Sequence, residues 1–109
     1  MEIALIIEFE LEPGAGAAFE RLMSVHARAT LESEPGCRRF DILHPLRDDE
    51  TTDDNRRLLF ELYDDAAALQ THNDTARLAE LRQAYAPLIR NVRVVRCLVI
   101  KDPATAAAS

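Results

Sequence analysis

Along the first eleven positions apolar residues recur at every second place. Ile3, Leu5, Ile7 and Phe9 fall on one side, with Ala4, Ile6, Glu8 and Glu10 on the other. This is the period of a strand whose second face is partly apolar. Pro13 and Gly14 end it. From about Ala15 to Ser33 the period becomes helical: Ala15, Ala18, Phe19, Leu22, Met23, His26, Ala29 and Thr30 share one side, and Glu20, Ser24, Arg28 and Glu32 the other. Glu34-Pro35-Gly36 breaks the helix, because proline cannot continue it and glycine tolerates the turn. Cys37 to His44 alternates again, setting Arg38, Phe40, Ile42 and His44 against Arg39, Asp41 and Leu43. Pro45 to Arg57 is charged and aperiodic, which predicts a solvated loop. Its acidic run lacks the ligand spacing and turn glycine of an EF-hand.

The stretch Leu58 to Thr75 predicts a strand running into a helix. Leu58, Phe60 and Leu62 alternate with Leu59, Glu61 and Tyr63. Asp64 or Asp65 can then accept hydrogen bonds from the free N–H groups of a helical first turn, carrying the helix through Ala66 to His72. Asp74 or Thr75 can cap a further helix with Leu78, Leu81, Tyr85 and Leu88, which Pro87 ends within a turn. Val92 to Lys101 reads as a β-branched strand apolar on both faces. The order strand, helix, strand, strand, helix, strand predicts an α+β ferredoxin-like βαββαβ plan, an antiparallel four-stranded sheet with its helices on one face. Several strands are apolar on both sides, so the other face also needs cover, and a homodimer packed sheet to sheet is the economical source. One domain over 1–101 and a frayed tail from Asp102 to Ser109 are expected.

Composition narrows the function classes. A formal net charge of −6 over 109 residues offers no basic footprint for nucleic acid or an anionic membrane surface. The longest apolar runs are too short to span a bilayer, so the expected location is cytoplasmic. Cys37 and Cys97 lack metal-ligand spacing and are expected as buried free thiols. In a ferredoxin-like sheet their strands occupy opposite edges, which excludes an intrachain disulfide.

Two motifs carry a family resemblance. Glu34, Gly36, Cys37, Phe40 and Asp41 match an E-x-G-C-x-x-[FY]-[DE] piece, and Glu61, Tyr63, Leu69, His72 and Thr75 match E-x-[WYF]-x(5)-[LF]-x-x-H-x-x-[TS]. With the first strand and helix, the chain over roughly 1–101 resembles the antibiotic biosynthesis monooxygenase family of dimeric α+β barrels. The resemblance implies a small cytoplasmic dimer without metal, flavin or nicotinamide cofactor, acting on a small aromatic molecule and O2. The best-described members oxidise phenols or hydroquinones to quinones. Others degrade haem, isomerise a phosphorylated signalling molecule or have no known activity, so membership does not fix the reaction. The haem-degrading branch is set aside: where it resembles an asparagine, a tryptophan and a histidine, this chain has Ile6 or Ile7, Tyr63 and Arg82.

An oxygenase without a cofactor must remove a phenolic proton, hold the ring in a dry cavity and stabilise the developing anion. His72 is the candidate base, because an imidazole is largely neutral at cellular pH, and Glu61 is its candidate partner. A phenol of pKa about 10 lies three to four units above imidazole, so full ionisation requires roughly 4–5 kcal/mol of phenolate stabilisation. Arg39, Arg93 or Tyr63 could supply part of it. Tyr63, His26, Phe40, Phe19, Leu22 and Met23 are the candidate substrate-lining residues, each with a plain core role as its competitor. A non-redox proton-shuttling isomerase and a non-catalytic binding module are the alternative functions.

Overall fold

The two periods in the sequence become β1 (Ile3–Leu11), α1 (Gly16–Ser33), β2 (Cys37–Leu43), β3 (Arg56–Tyr63), α2 (Ala66–Asn73), α3 (Ala76–Tyr85) and β4 (Ile89–Leu98), with a 3-10 turn at Ala86–Leu88. They are seen in a computed structural model that describes residues 1–101; the tail expected from Asp102 lies outside the described residues. The strands form one antiparallel sheet in the order β2-β3-β1-β4. This is the α+β ferredoxin-like plan, with the cysteine-bearing strands at opposite edges.

Alternation decides which residues meet the helices. From β1 come Leu5 and Phe9, from β3 Leu59, Glu61 and Tyr63, and from β2 Phe40, all buried. Against them α1 buries Phe19, Met23, His26, Ala27 and Thr30, and α3 buries Leu78 and Leu81. Aromatic packing closes one end of this core, with the Phe9 and Phe19 ring centroids 4.8 Å apart and Tyr85 set edge-on to Phe9 at 5.5 Å.

Several boundaries differ from the sequence reading, each for a local reason. β2 stops at Leu43, and β3 starts at Arg56, two residues before the expected strand. That extension draws Arg57 out of the expected solvated loop and buries it. Its Nε donates to Glu20 at 2.7 Å, and its Nη1 to the carbonyls of Arg56 and Asp54 at 2.7 and 3.2 Å. β4 begins at Ile89 and ends at Leu98, not Val92 to Lys101, because a register shift at Glu10/Leu11 carries its pairing back to Ile89. The expected last helix ends at Tyr85, leaving Leu88 in the 3-10 turn.

The two cysteines also separate. A bulge between Cys37 and Arg39 seats Cys37 opposite Tyr63, buried, although strict alternation would put it with Arg39. Cys97, paired to Ala4 on the other side of the sheet, is only partly covered, which corrects its expected burial.

Among the described residues, the sheet leaves apolar surface on both of its sides. The side of the sheet away from the helices carries Ile6, Leu58, Phe60, Leu62 and Val95, bordered by a Glu8–Arg56 ion pair. On the helix side, cover stops short of the edge strand, so Val94 is 57% exposed and Leu98 61% exposed.

Gly36 shows how closely the layers fit at the start of β2. A Cβ placed there would lie 2.5 Å from the Ala68 Cβ on α2. Gly36→Ala is expected to destabilise the fold by about 1–3 kcal/mol. Adding Ala68→Gly should recover part of that loss; a urea-melt cycle with no coupling between the two changes would refute the contact.

Candidate active site

The residues with chemistry to offer converge where the end of α1, the end of α2 and the end of β3 meet. Glu34 follows α1, and Pro35 after it holds its backbone extended at φ −118°, ψ 95°, as a residue before proline prefers. Its carboxylate is buried and accepts from Arg77 of α3, while His72 Nδ1 lies 3.1 Å from both of its oxygens. His72 sits in the last turn of α2, whose start is set by Asp65 accepting from Ala68 N–H at 2.8 Å. Its carbonyl accepts from the Thr75 hydroxyl at 2.9 Å, and that same hydroxyl oxygen accepts from Leu78 N–H, capping α3. One threonine therefore joins the two short helices.

On the sheet, Tyr63 and Glu61 are two residues apart and so share a face. The Tyr63 hydroxyl donates to Glu61 Oε1 at 2.6 Å, and the same oxygen lies 3.9 Å from His72 Nε2. Burial raises the Glu61 carboxyl above its usual range, against the opposing pull of the Tyr63 hydrogen bond and His72. Tyr63 is also raised, first by burial and then by the charge of Glu61, so its hydroxyl stays protonated as a donor. Burial raises the Cys37 thiol to about 11, with Glu61 and Glu34 adding to the effect, which makes it a poor nucleophile.

His26 enters from α1. Its ring centroid lies 5.3 Å from that of His72 and 5.6 Å from that of Phe40. It is 3% exposed, and neither ring nitrogen has a hydrogen-bond partner among the described residues. Burial, then the neighbouring His72, Arg77 and Arg82, lowers its pKa to about 4. His26 is therefore neutral near pH 7, with one ring N–H to donate and one nitrogen to accept.

Of these groups His26, Glu61 and His72 border a cavity of about 300 Å³ between helices and sheet, large enough for a small organic ligand. His26, Glu61, His72, Met23 and Leu81 line it, and Arg82 and Arg96 are at its wall. The predicted lining residues divide accordingly. Tyr63 stands behind Glu61, Phe40 behind the two histidines, and Phe19 belongs to the Phe9–Tyr85 cluster. Leu22 lines a separate groove between α1 and α3. None of these four borders the cavity.

The arginines proposed for anion stabilisation also lie elsewhere. Arg39 pairs with Asp41 at 2.6 Å and covers Phe60, and Arg93 borders a surface depression with Glu8 and Glu10. Sequence reasoning missed Glu34, Arg77, Arg82 and Arg96. Glu34 carries a signal as the first residue of the matched motif, and Arg82 as the residue that stands where the haem-degrading branch resembles a histidine. Among the described residues no three His, Cys, Asp or Glu side chains converge to hold a metal ion, and no helix is long and apolar enough to cross a membrane.

Residues 2–87 match the profile of the antibiotic biosynthesis monooxygenase family. A candidate antibiotic biosynthesis monooxygenase of Caulobacter crescentus superposes with a TM-score of 0.83 at 20% identity, covering 92% of this chain and 91% of that one. A second, from Nitrosomonas europaea, gives 0.79 at 23% identity, with 92% and 91% covered. A Mycobacterium tuberculosis protein gives 0.76 at 25% identity, with 94% and 99% covered. A search of curated proteins finds no match.

The lowered pKa of His26 has a measurable consequence. Its folded value of about 4 lies below the ordinary 6.5, so its contribution to stability is complete above pH 6.5 and is lost as pH falls through 4. The loss amounts to about 3 kcal/mol at the acid end. In urea melts between those limits, His26→Leu should lose correspondingly less stability than the native chain; parallel curves would remove His26 as the cause.

Proposed function

We propose, from the premise that this chain belongs to the antibiotic biosynthesis monooxygenase family, that it oxidises a phenolic or hydroquinone-type aromatic with O2 and without a cofactor. The observation that carries this reading is a buried imidazole presented to a small, largely apolar cavity with its far nitrogen already committed to a carboxylate. Glu34, paired with Arg77, accepts the Nδ1 proton of His72, which turns Nε2 to the cavity as the base. When Nε2 takes the phenolic proton, the imidazolium lies between Glu34 and Glu61, which offsets part of the cost of the phenolate. Neutral His26 is within the same cavity to hydrogen-bond a substrate oxygen.

The phenolate passes an electron to O2, and the resulting radical pair recombines at a ring carbon. Loss of water then leaves the quinone. For a simple phenol the balance is one phenol and one O2 giving one benzoquinone and one water. One oxygen atom enters the ring, the other leaves as water, and the substrate is the reductant. The protein needs only to ionise, orient and enclose it.

The apolar side of the sheet supports a second element of the reading, a homodimer packed sheet to sheet. Ile6, on a central strand, would lie in that interface. Sedimentation at micromolar concentration should find the native chain dimeric and Ile6→Asp shifted to monomer. A native monomer would sink the dimer.

Oxygen uptake with a panel of hydroquinones, measured with a chelator present, tests the reaction. His72→Ala should lower kcat by about 10²-fold or more. Glu34→Gln should do nearly as much, because an amide can donate to Nδ1 and move the imidazole proton to Nε2. No uptake by the native chain would favour a proton-shuttling isomerase or a binding module. Unchanged turnover in His72→Ala would remove the assigned base.

A further inference from the structure

The cavity is chemically two-ended. Its inner, buried end holds Glu61, His72 and His26, and across the sheet Leu5 pairs with Glu61 on one side and with Arg96 on the other, so an apolar residue separates that end from the edge strand. Two arginines from different elements then share its wall, Arg82 of α3 and Arg96 of β4. Both are exposed, and neither forms an ion pair within 4.0 Å among the described residues. The other arginines close to the core are engaged: Arg77 on Glu34, Arg57 on Glu20 and Arg56 on Glu8. In a chain of net charge −6, two arginines left without a carboxylate beside one cavity set it apart from the acidic surface around it. At the inner end the buried His26 ring, with both nitrogens unpartnered, awaits a polar group.

We propose that the site takes an aromatic acid: a ring whose hydroxyl reaches His26 and His72, and whose carboxylate is held by Arg82 and Arg96. Guanidinium groups pair with carboxylates through parallel N–H donors, and two of them from separate elements fix both charge and direction. The apolar walls between accept the ring. The anion also orients the substrate, because entry with the carboxylate innermost would set it against Glu61 and the Glu34 carboxylate behind His72. The inference rests on the oxygenase reading only for the identity of the hydroxyl end; the carboxylate end stands on the arginines.

Equilibrium binding therefore tests it apart from turnover. A hydroxynaphthoic acid and its methyl ester, which share ring and hydroxyl, are titrated calorimetrically into the native chain and into R82Q, R96Q and the double variant, with folding checked by circular dichroism. The native chain is expected to bind the acid roughly tenfold or more tighter than the ester. That preference should weaken as salt rises and fall below about threefold in the double variant, while the ester affinity stays unchanged. An equal affinity for acid and ester, no binding of the acid at millimolar concentration, or an acid preference that survives in the double variant would overturn the proposal. Failure of oxygen uptake with an intact acid preference would instead overturn the reaction assignment and leave the ligand class standing.

Discussion

A carboxylate taken out of water is the constraint around which this molecule is arranged. Glu34 is buried at the junction of three helices, and a lone ionised carboxylate there would cost several kcal/mol. Arg77 and His72 supply the counter-charge and the hydrogen bonds, so the end of α1, the last turn of α2 and the first turn of α3 are tied at one point. Asp65 starts α2 in the phase that turns His72 inward, and Thr75 joins it to α3. The Gly36–Ala68 contact brings the start of β2 against the same helix. Breaking the carboxylate from its partners would leave an uncompensated charge inside, a larger penalty than the pair is worth as a favourable interaction.

The strands and their faces are legible because burial on one side of a sheet enforces a period of two, which β3 obeys throughout and β1 at its Phe9–Leu11 end. Reading failed where pairing departs from that period. The bulge at Cys37/Arg39 and the register shift at Glu10/Leu11 depend on what a partner strand offers, and no local pattern encodes them. The start of β3 was missed because Arg57 looks like loop, although its guanidinium finds enough acceptors to be buried.

The site was half legible for a similar reason. Glu61 and His72 stand out as ionisable groups in a matched motif, and His26 as a polar residue on an apolar face. Glu34 both ends a helix and opens a matched motif, yet nothing local gives it a role in the site, since its partners lie far along the chain. Arg82 and Arg96 belong to the polar positions that hydrophobic periodicity ignores, and only the meeting of α3 with β4 gives them a common purpose. The aromatic candidates failed in the opposite direction. Phe19, Phe40 and Tyr63 are where periodicity places them, but they support the cavity from behind.

The anchoring of α3 at one end separates two tasks along its length. Arg77, in its first turn, belongs to the network that holds the base, whereas Leu81, Arg82 and Tyr85 reach the cavity from later turns and make no hydrogen bond to His72. Changes at those later positions redraw the wall without breaking a hydrogen bond of the Glu34–His72–Arg77 network. In descent from a common scaffold, ligand preference can therefore drift while the acid–base apparatus is inherited intact, and relatives at about one-fifth identity can keep the fold while parting in what they bind.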